Sequence, residues 1–99
     1  MSYNLKFLSL VASDINAAKE RYNDIRPGLG EDFDLCVEEA IERLRRNPRA
    51  YAIIESNFRR VLVRRFPYAI YFRTKDDLIA VYGVFHNHQR SDVWQRRGT

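Results

Sequence analysis

Near the end of the chain, twelve residues read His86-Asn87-His88-Gln89-Arg90-Ser91-Asp92-Val93-Trp94-Gln95-Arg96-Arg97. Imidazole moves protons near neutral pH. Arginine holds a phosphate and stabilises charge that develops on it. An indole stacks on a nucleobase. Together these groups could serve metal-free RNA cleavage, which needs a base for the 2′-hydroxyl, an acid for the leaving oxygen and cations for the phosphorane. The competing reading is a strand end with Trp94 folded back as a core plug.

His86-x-His88 supplies two ligands of zinc type, but no third has matching spacing. Cys36 sits on an apolar helical face, where a thiol packs as a small hydrophobe. No metal and no cofactor is expected. Gly28-x-Gly30 stands alone and makes no phosphate loop, Ser91 lacks a nucleophile elbow, and Asp76-Asp77 has the chemistry of a turn.

A second basic group is Arg59-Arg60-Val61-Leu62-Val63-Arg64-Arg65. As a strand, it puts Arg59, Val61, Val63 and Arg65 on one face and Arg60, Leu62 and Arg64 on the other. Charge is distributed unevenly along the chain. Residues 1–40 carry four basic and eight acidic side chains, a net −4; residues 41–99 carry thirteen and five, a net +8, and twelve of the thirteen are arginine. Arginine forks match carboxylates and phosphates in two-point geometry, so a partner rich in either is expected. Ion pairs with the acidic first half, or a solvated surface, are the alternatives.

The elements that position these groups follow from periodicity. Tyr3 to Leu10 reads as a strand. Ser13-Asp14 offers a helix N-cap, and Ile15, Ala18, Tyr22 and Ile25 make one helical face that stops at Arg26-Pro27-Gly28. A second helix runs from Glu31 to Arg46 on Phe33, Val37, Ile41 and Leu44, with acids in its first turn and arginines in its last. Asn47-Pro48 ends it, so the two helices form a hairpin. Strands follow over 59–65, 68–73 and 78–85, the last two a β-hairpin around Lys75-Asp76-Asp77. The order β-α-α-β-β-β argues an α+β fold, a small antiparallel sheet with the N-terminal helical hairpin on one face.

The 99 residues make one domain, 1–99, with 45% hydrophobic, 13% aromatic and 30% charged residues, which excludes disorder of the bulk. No apolar run reaches a membrane span, and the first residues have no signal-peptide pattern. With a lone cysteine, the expected location is the reducing cytoplasm.

Leu29-Gly30-x-x-Phe33, Asn47-Pro48, Arg64-Arg65-Phe66-Pro67-Tyr68-x-Ile70-x-Phe72 and Val84-Phe85-His86-x-x-x-Arg90-x-x-x-Trp94-x-x-Arg97, in this order and with matching gaps, resemble the RelE/ParE toxin superfamily of type II toxin–antitoxin pairs, often labelled plasmid stabilization proteins. The resemblance implies a small sheet beside a helical hairpin and one of two activities. RelE-like members cut mRNA in the ribosomal A site without a metal; ParE-like members poison DNA gyrase. Matched to the RelE pattern, the strand arginine falls on Ala69, the late arginine on His88 and the late tyrosine on Trp94, while Arg60 loosely meets the basic residues of the preceding strand. Another ribonuclease branch would place Glu55, Arg65 and His86 or His88 at its site.

The endoribonuclease alternative therefore implies Arg65, His86, His88 and Arg90 as catalytic residues. The Leu-Gly-x-x-Phe helix start looks more like ParE. That implies gyrase as target, and a hetero-oligomer with a ParD-like antitoxin whose acidic C-terminal segment folds onto the toxin. Phe33 and Val37 would supply apolar grooves for partners, and Arg59, Arg60, Arg64, Trp94, Arg96 and Arg97 further contacts.

Overall fold

The computed structural model describes residues 3–88 and 91–98. The elements are β1 (Asn4–Phe7), α1 (Val11–Ile25), α2 (Leu29–Arg46), a 3-10 turn (Pro48–Ala50), β2 (Arg59–Leu62), β3 (Tyr68–Lys75), β4 (Leu78–His86) and α3 (Ser91–Arg96). The α+β class and the element order expected from the sequence are present, with α3 added. The sheet order is β1-β4-β3-β2. The last three strands are antiparallel, as expected. β1 instead joins β4 in parallel, so the sheet is mixed. Strand direction depends on where the helical hairpin returns the chain, which alternation within one strand does not encode.

Helix α1 starts at Val11, earlier than Ser13-Asp14 suggested, and Leu10 precedes it without a side-chain cap. Asp14 lies inside the first turn, where its charge suits the helix dipole. The helix ends as Arg26 turns extended and donates its N–H to Tyr22 O at 3.0 Å. Ile25, the last of the expected apolar face, is therefore 73% exposed. Gly28 makes the turn with φ +92°, a conformation that costs glycine little and other residues more. In α2 the buried stripe is Phe33, Val37, Ala40 and Leu44, with Ile41 half-buried beside it.

The helical hairpin covers one face of the sheet, meeting Val61, Val63, Ile70, Phe72, Ile79, Val81 and Val84. A register shift in β4 pairs Tyr71 with Gly83 but Phe72 with Val81, leaving Tyr82 as a bulge. The bulge reverses the alternation. Val81 and Val84 thus share the helical side, while Tyr82 and Phe85 share the other. That second face is also buried. Phe58, from the loop before β2, and Trp94, from α3, close over Ala69, Tyr71 and Phe85. Trp94 stacks on Tyr71 with centroids 5.0 Å apart and planes at 15°, and meets Phe58 edge-on at 5.0 Å. Of the two readings of Trp94, the core plug is the one found.

Candidate functional site

The residues of the hydrolytic reading divide between two places: Arg65, His86 and His88 come from neighbouring segments at one end of the sheet, where the Asn87 N–H donates to Pro67 O at 2.8 Å, while Glu55 and Ala69 belong to the second face. Arg65 sits in the β2–β3 turn with φ +71°. Its guanidinium lies 5.6 Å from the Phe66 ring centre and 3.7 Å from an Asp32 oxygen on α2. His86 ends β4 in register with Tyr68, ring centres 5.4 Å apart, at the rim of the helical side. His88 follows at 5.2 Å and donates its backbone N–H to His86 Nδ1 at 3.1 Å. Glu55 lies on the loop over the second face, where its carboxylate accepts the Gln95 amide. Glu55 and His86 thus belong to opposite sides of the sheet. Ala69, where a RelE-type strand arginine would stand, is fully buried in the second-face cluster. Arg90 lies outside the described residues.

The partner residues divide more sharply. Phe33 and Val37 are 0% and 2% exposed, so they offer no contact surface, a correction to the expectation that they line apolar grooves. Their spacing marks a buried helical face, and a partner can read them only through the shape they impose. Trp94, likewise expected at a partner surface, is spent on the second core. Arg97 turns inward onto Asp14. Arg96 is exposed on α3 beside Asp92, its side chain 3.5 Å from that carboxylate. Arg59 donates to the backbone carbonyls of Arg49 and Tyr51 and so fastens the loop that crosses β2.

Arg60 and Arg64 remain outward. Arg60, Leu62 and Ile54 line a cleft of about 410 Å³ with Arg43, Tyr51 and Ala52, and no acidic side chain lines it. Leu62 is 51% exposed and neighbouring Ile53 54%. Arg43 crosses the cleft from α2: it donates to Glu39 at 2.7 Å and to the Leu62 carbonyl at 2.8 Å. Glu39 also faces Arg64 at 3.5 Å. The Arg43 hydrogen bond, with the charges of Arg43, Arg64 and Arg46, holds this carboxyl below the usual carboxylate range, against a smaller opposing cost of burial. One carboxylate thus serves three guanidinium groups, and Arg60 adds a fourth close by. An apolar floor with a cationic rim suits an acidic segment bearing aliphatic side chains.

At the far rim, Arg21 donates to the Tyr68 hydroxyl. Burial, then the neighbouring Tyr68, pushes the Tyr22 hydroxyl's pKa up, with Arg21 opposing. Neither Arg43 nor Arg21 was legible as a site residue from sequence. Arg43 reads there as a helix-end cation and Arg21 only as one of the four basic side chains of residues 1–40; the strands packed across them reveal their bonds.

A family model for the "ParE toxin of type II toxin-antitoxin system, parDE" matches residues 5–91. Toxin ParE2 of Mycobacterium tuberculosis, from strains CDC 1551 / Oshkosh and ATCC 25618 / H37Rv, is 28% identical over 94 residues, covering 94% of this chain and 90% of that protein. A chain of the "Chromosomal ParDE TA system from P. aeruginosa" superposes with a TM-score of 0.76 at 20% identity, over 86% of this chain and 96% of that one. This last likeness shows a shared fold.

Proposed function

The chain belongs to the ParE toxin family of type II toxin–antitoxin systems, and from that premise we propose that it arrests growth in the cytoplasm by binding DNA gyrase, not by cutting RNA. The observation that carries this reading is the loss of the RelE-type strand cation: Ala69 stands in its place and is fully buried. Metal-free phosphodiester cleavage requires base, acid and cations within hydrogen-bond reach of one phosphate. Here Arg65 leans on Asp32, Glu55 is across the sheet from His86, and Ala69 is sealed in the interior. What the surface does offer is protein-binding chemistry.

The test is purified toxin with gyrase and plasmid, scored for supercoiling and for trapped linear DNA. Linear DNA that accumulates with toxin and vanishes when antitoxin is added is the expected result. The histidines act as bystanders in this reading. His86→Ala and His88→Ala are expected to change growth arrest by no more than about twofold, since neither removes a transition-state contact. Toxin that arrests growth while leaving gyrase untouched would sink the gyrase reading. So would loss of arrest on a single histidine change in a chain that still folds; that result would favour ribosome-dependent mRNA cleavage.

The antitoxin docks, in this proposal, on the cleft of Arg43, Arg60 and Leu62, forming the hetero-oligomer. Its acidic segment finds the guanidinium rim, and its aliphatic side chains cover Leu62 and Ile54. Arg60→Glu is expected to weaken the complex roughly tenfold or more, mostly by reversing a charge that attracts the segment. The loss should shrink as salt rises, because exposed charges are screened beyond about 8 Å at physiological ionic strength. Titration by calorimetry at two salt concentrations reads both; an unchanged affinity removes this cleft from the interface.

A further inference from the structure

The second face of the sheet is covered only in part. Around Ala69, Tyr71 and Phe85 it is closed by Phe58 and Trp94. Nearer the β3–β4 turn it opens into a hollow of about 530 Å³ lined by Arg73, Lys75, Leu78, Ala80 and Tyr82, with no acidic side chain in its lining. Strand register sets three cations about this hollow. Arg73 pairs with Ala80 and Lys75 with Leu78, while Lys6 on β1 pairs with Ala80 from its other side. Leu5 and Ile79 pack on the helical side, so alternation turns Lys6 and Ala80 to the open one. The row Lys6, Ala80, Arg73 spans about 10 Å at the usual strand spacing, and Lys75 stands about 7 Å further along β3.

None of these three charges is neutralised within the chain. Lys19, Arg43, Arg65 and Arg97 each meet a carboxylate. Among the described residues, Lys6, Arg73 and Lys75 meet none, the turn acids Asp76 and Asp77 included. Arg73 is held by neutral partners. Its Nε donates to Ser56 O at 3.0 Å and its Nη1 to Gly98 O at 3.3 Å. Its guanidinium lies 4.1 Å from the Phe58 ring centre and 5.2 Å from that of Tyr82. Carbonyls and rings orient a guanidinium and leave its charge whole. Lys6 and Lys75 are exposed.

This chemistry calls for an anion with several charges, and its details favour phosphates. Tyr82 carries Arg73 over its ring and meets Phe58 edge-on at 5.0 Å, so the aromatic groups serve to fix the cation. An acidic peptide with apolar anchors finds little to grip, since Leu78, at 36%, is the one exposed large hydrophobic of the lining. We propose that this open face binds the phosphodiester backbone of duplex DNA, its three cations meeting phosphates of one strand. Such contacts position a protein on DNA without reading sequence. The inference goes beyond the gyrase reading and rests on it only for the choice of DNA over RNA: the toxin holds the DNA segment on which the enzyme acts as well as the enzyme.

The test is fluorescence anisotropy of a labelled DNA duplex of about 20 base pairs, titrated with the full chain at about 50 and about 200 mM salt. Wild type is expected to bind, more weakly at the higher salt. The double variant Lys6→Gln/Lys75→Gln should bind at least about tenfold more weakly at low salt and lose about 2 from the slope of log affinity on log salt, close to one per phosphate contact. Both lysines are exposed, so Trp94 emission and antitoxin binding should be unchanged. Arg60→Gln/Arg64→Gln removes the same charge from the antitoxin cleft and should stay within about twofold of wild type. Arg73→Gln should also weaken binding, but it loosens the loop and the tail as well, so the lysine pair carries the test.

No binding by wild type at low salt overturns the proposal. Equal losses in the two double variants do so too, since net charge alone would then explain the binding. A polyglutamate peptide that competes as well as unlabelled DNA of equal charge overturns the preference for phosphates, and tighter binding of an RNA duplex of the same sequence overturns the assignment to DNA. The gyrase assay is scored separately. Toxin that binds DNA as expected but leaves gyrase untouched removes gyrase and keeps this face; toxin that traps linear DNA but does not bind free DNA does the reverse.

Discussion

Trp94→Ala is expected to lower the free energy of unfolding by about 3–5 kcal/mol, the usual cost of deleting a buried indole. That is a large share of the roughly 5–15 kcal/mol that holds a domain of this kind together. The loss has a structural cause. The indole is 5% exposed, lies parallel to Tyr71 at 5.0 Å and meets Phe58 edge-on. Without it, Phe58, Tyr71 and Phe85 lose the cover of the second sheet face, and α3 loses its anchor. Trp94→Phe should recover part of the loss, since a phenyl ring fills part of the same space. Urea denaturation followed by circular dichroism distinguishes the outcomes. A Trp94→Ala midpoint within about 0.5 kcal/mol of wild type, the range of ordinary surface changes, would mean that the indole is not a core group. The stacking of bases would then return as its role.

The second large effect is expected at Gly30. A methyl group there would lie 2.4 Å from the Lys19 carbonyl oxygen and 2.6 Å from Asn23 Nδ2. The Gly30 N–H also donates to Asn23 Oδ1 at 2.7 Å, so the two helices are joined at this point as well as touching. The Lys19 oxygen belongs to the α1 backbone and cannot rotate away as a side-chain tip could. Gly30→Ala must therefore push the helices apart. Overpacking of this kind costs about 1–3 kcal/mol, against a gain of at most about 1 kcal/mol from the better helix propensity of alanine. A net loss is expected, and Gly30→Val, with more bulk and lower propensity, should be worse. Thermal unfolding of the three proteins checks the order. Gly30→Ala melting at or above the wild-type temperature would show that the hairpin is looser than this contact requires.

Gly30 also explains a sequence feature. Leu29-Gly30-x-x-Phe33 carried part of the resemblance to the toxin superfamily, and the fold shows what each residue does. Gly30 permits the close approach of α1 and α2. Phe33, one turn on, meets Tyr22 from α1 at 5.4 Å and Tyr68 from β3 at 5.1 Å. The motif is a packing device for the hairpin and does no chemistry of its own. The same holds for Arg64-Arg65-Phe66-Pro67-Tyr68. Its arginines lean on the α2 carboxylates Glu39 and Asp32, and Phe66 packs at 5.3 Å on Phe33. Exposed pairs of this sort add little stability; they orient the turn.

The amino-acid sequence alone determined the α+β class, the helical hairpin, the three antiparallel strands and the buried stripe of α2. These are set by period and by local breakers: apolar residues three and four apart, alternation in the strands, Pro27-Gly28 and Asn47-Pro48 at helix ends. Local order suffices for them. The family was legible too, because its motifs record packing at fixed spacing. Tertiary structure alone decided which charges face outward. Arg60 and Arg97 are chemically alike, and both were read as partner contacts. One rims an apolar cleft; the other is locked onto a carboxylate 83 positions away. Sequence distance says nothing about such pairs, since they form only when the β4 bulge carries Tyr82, Gly83 and Val84 to the start of α1. The same holds for Trp94, whose burial needs a second sheet face covered by α3, and for β1, whose direction depends on where the hairpin sets the chain down. Periodicity reports which side of an element is buried; what lies against that side is fixed by packing between segments far apart in the chain.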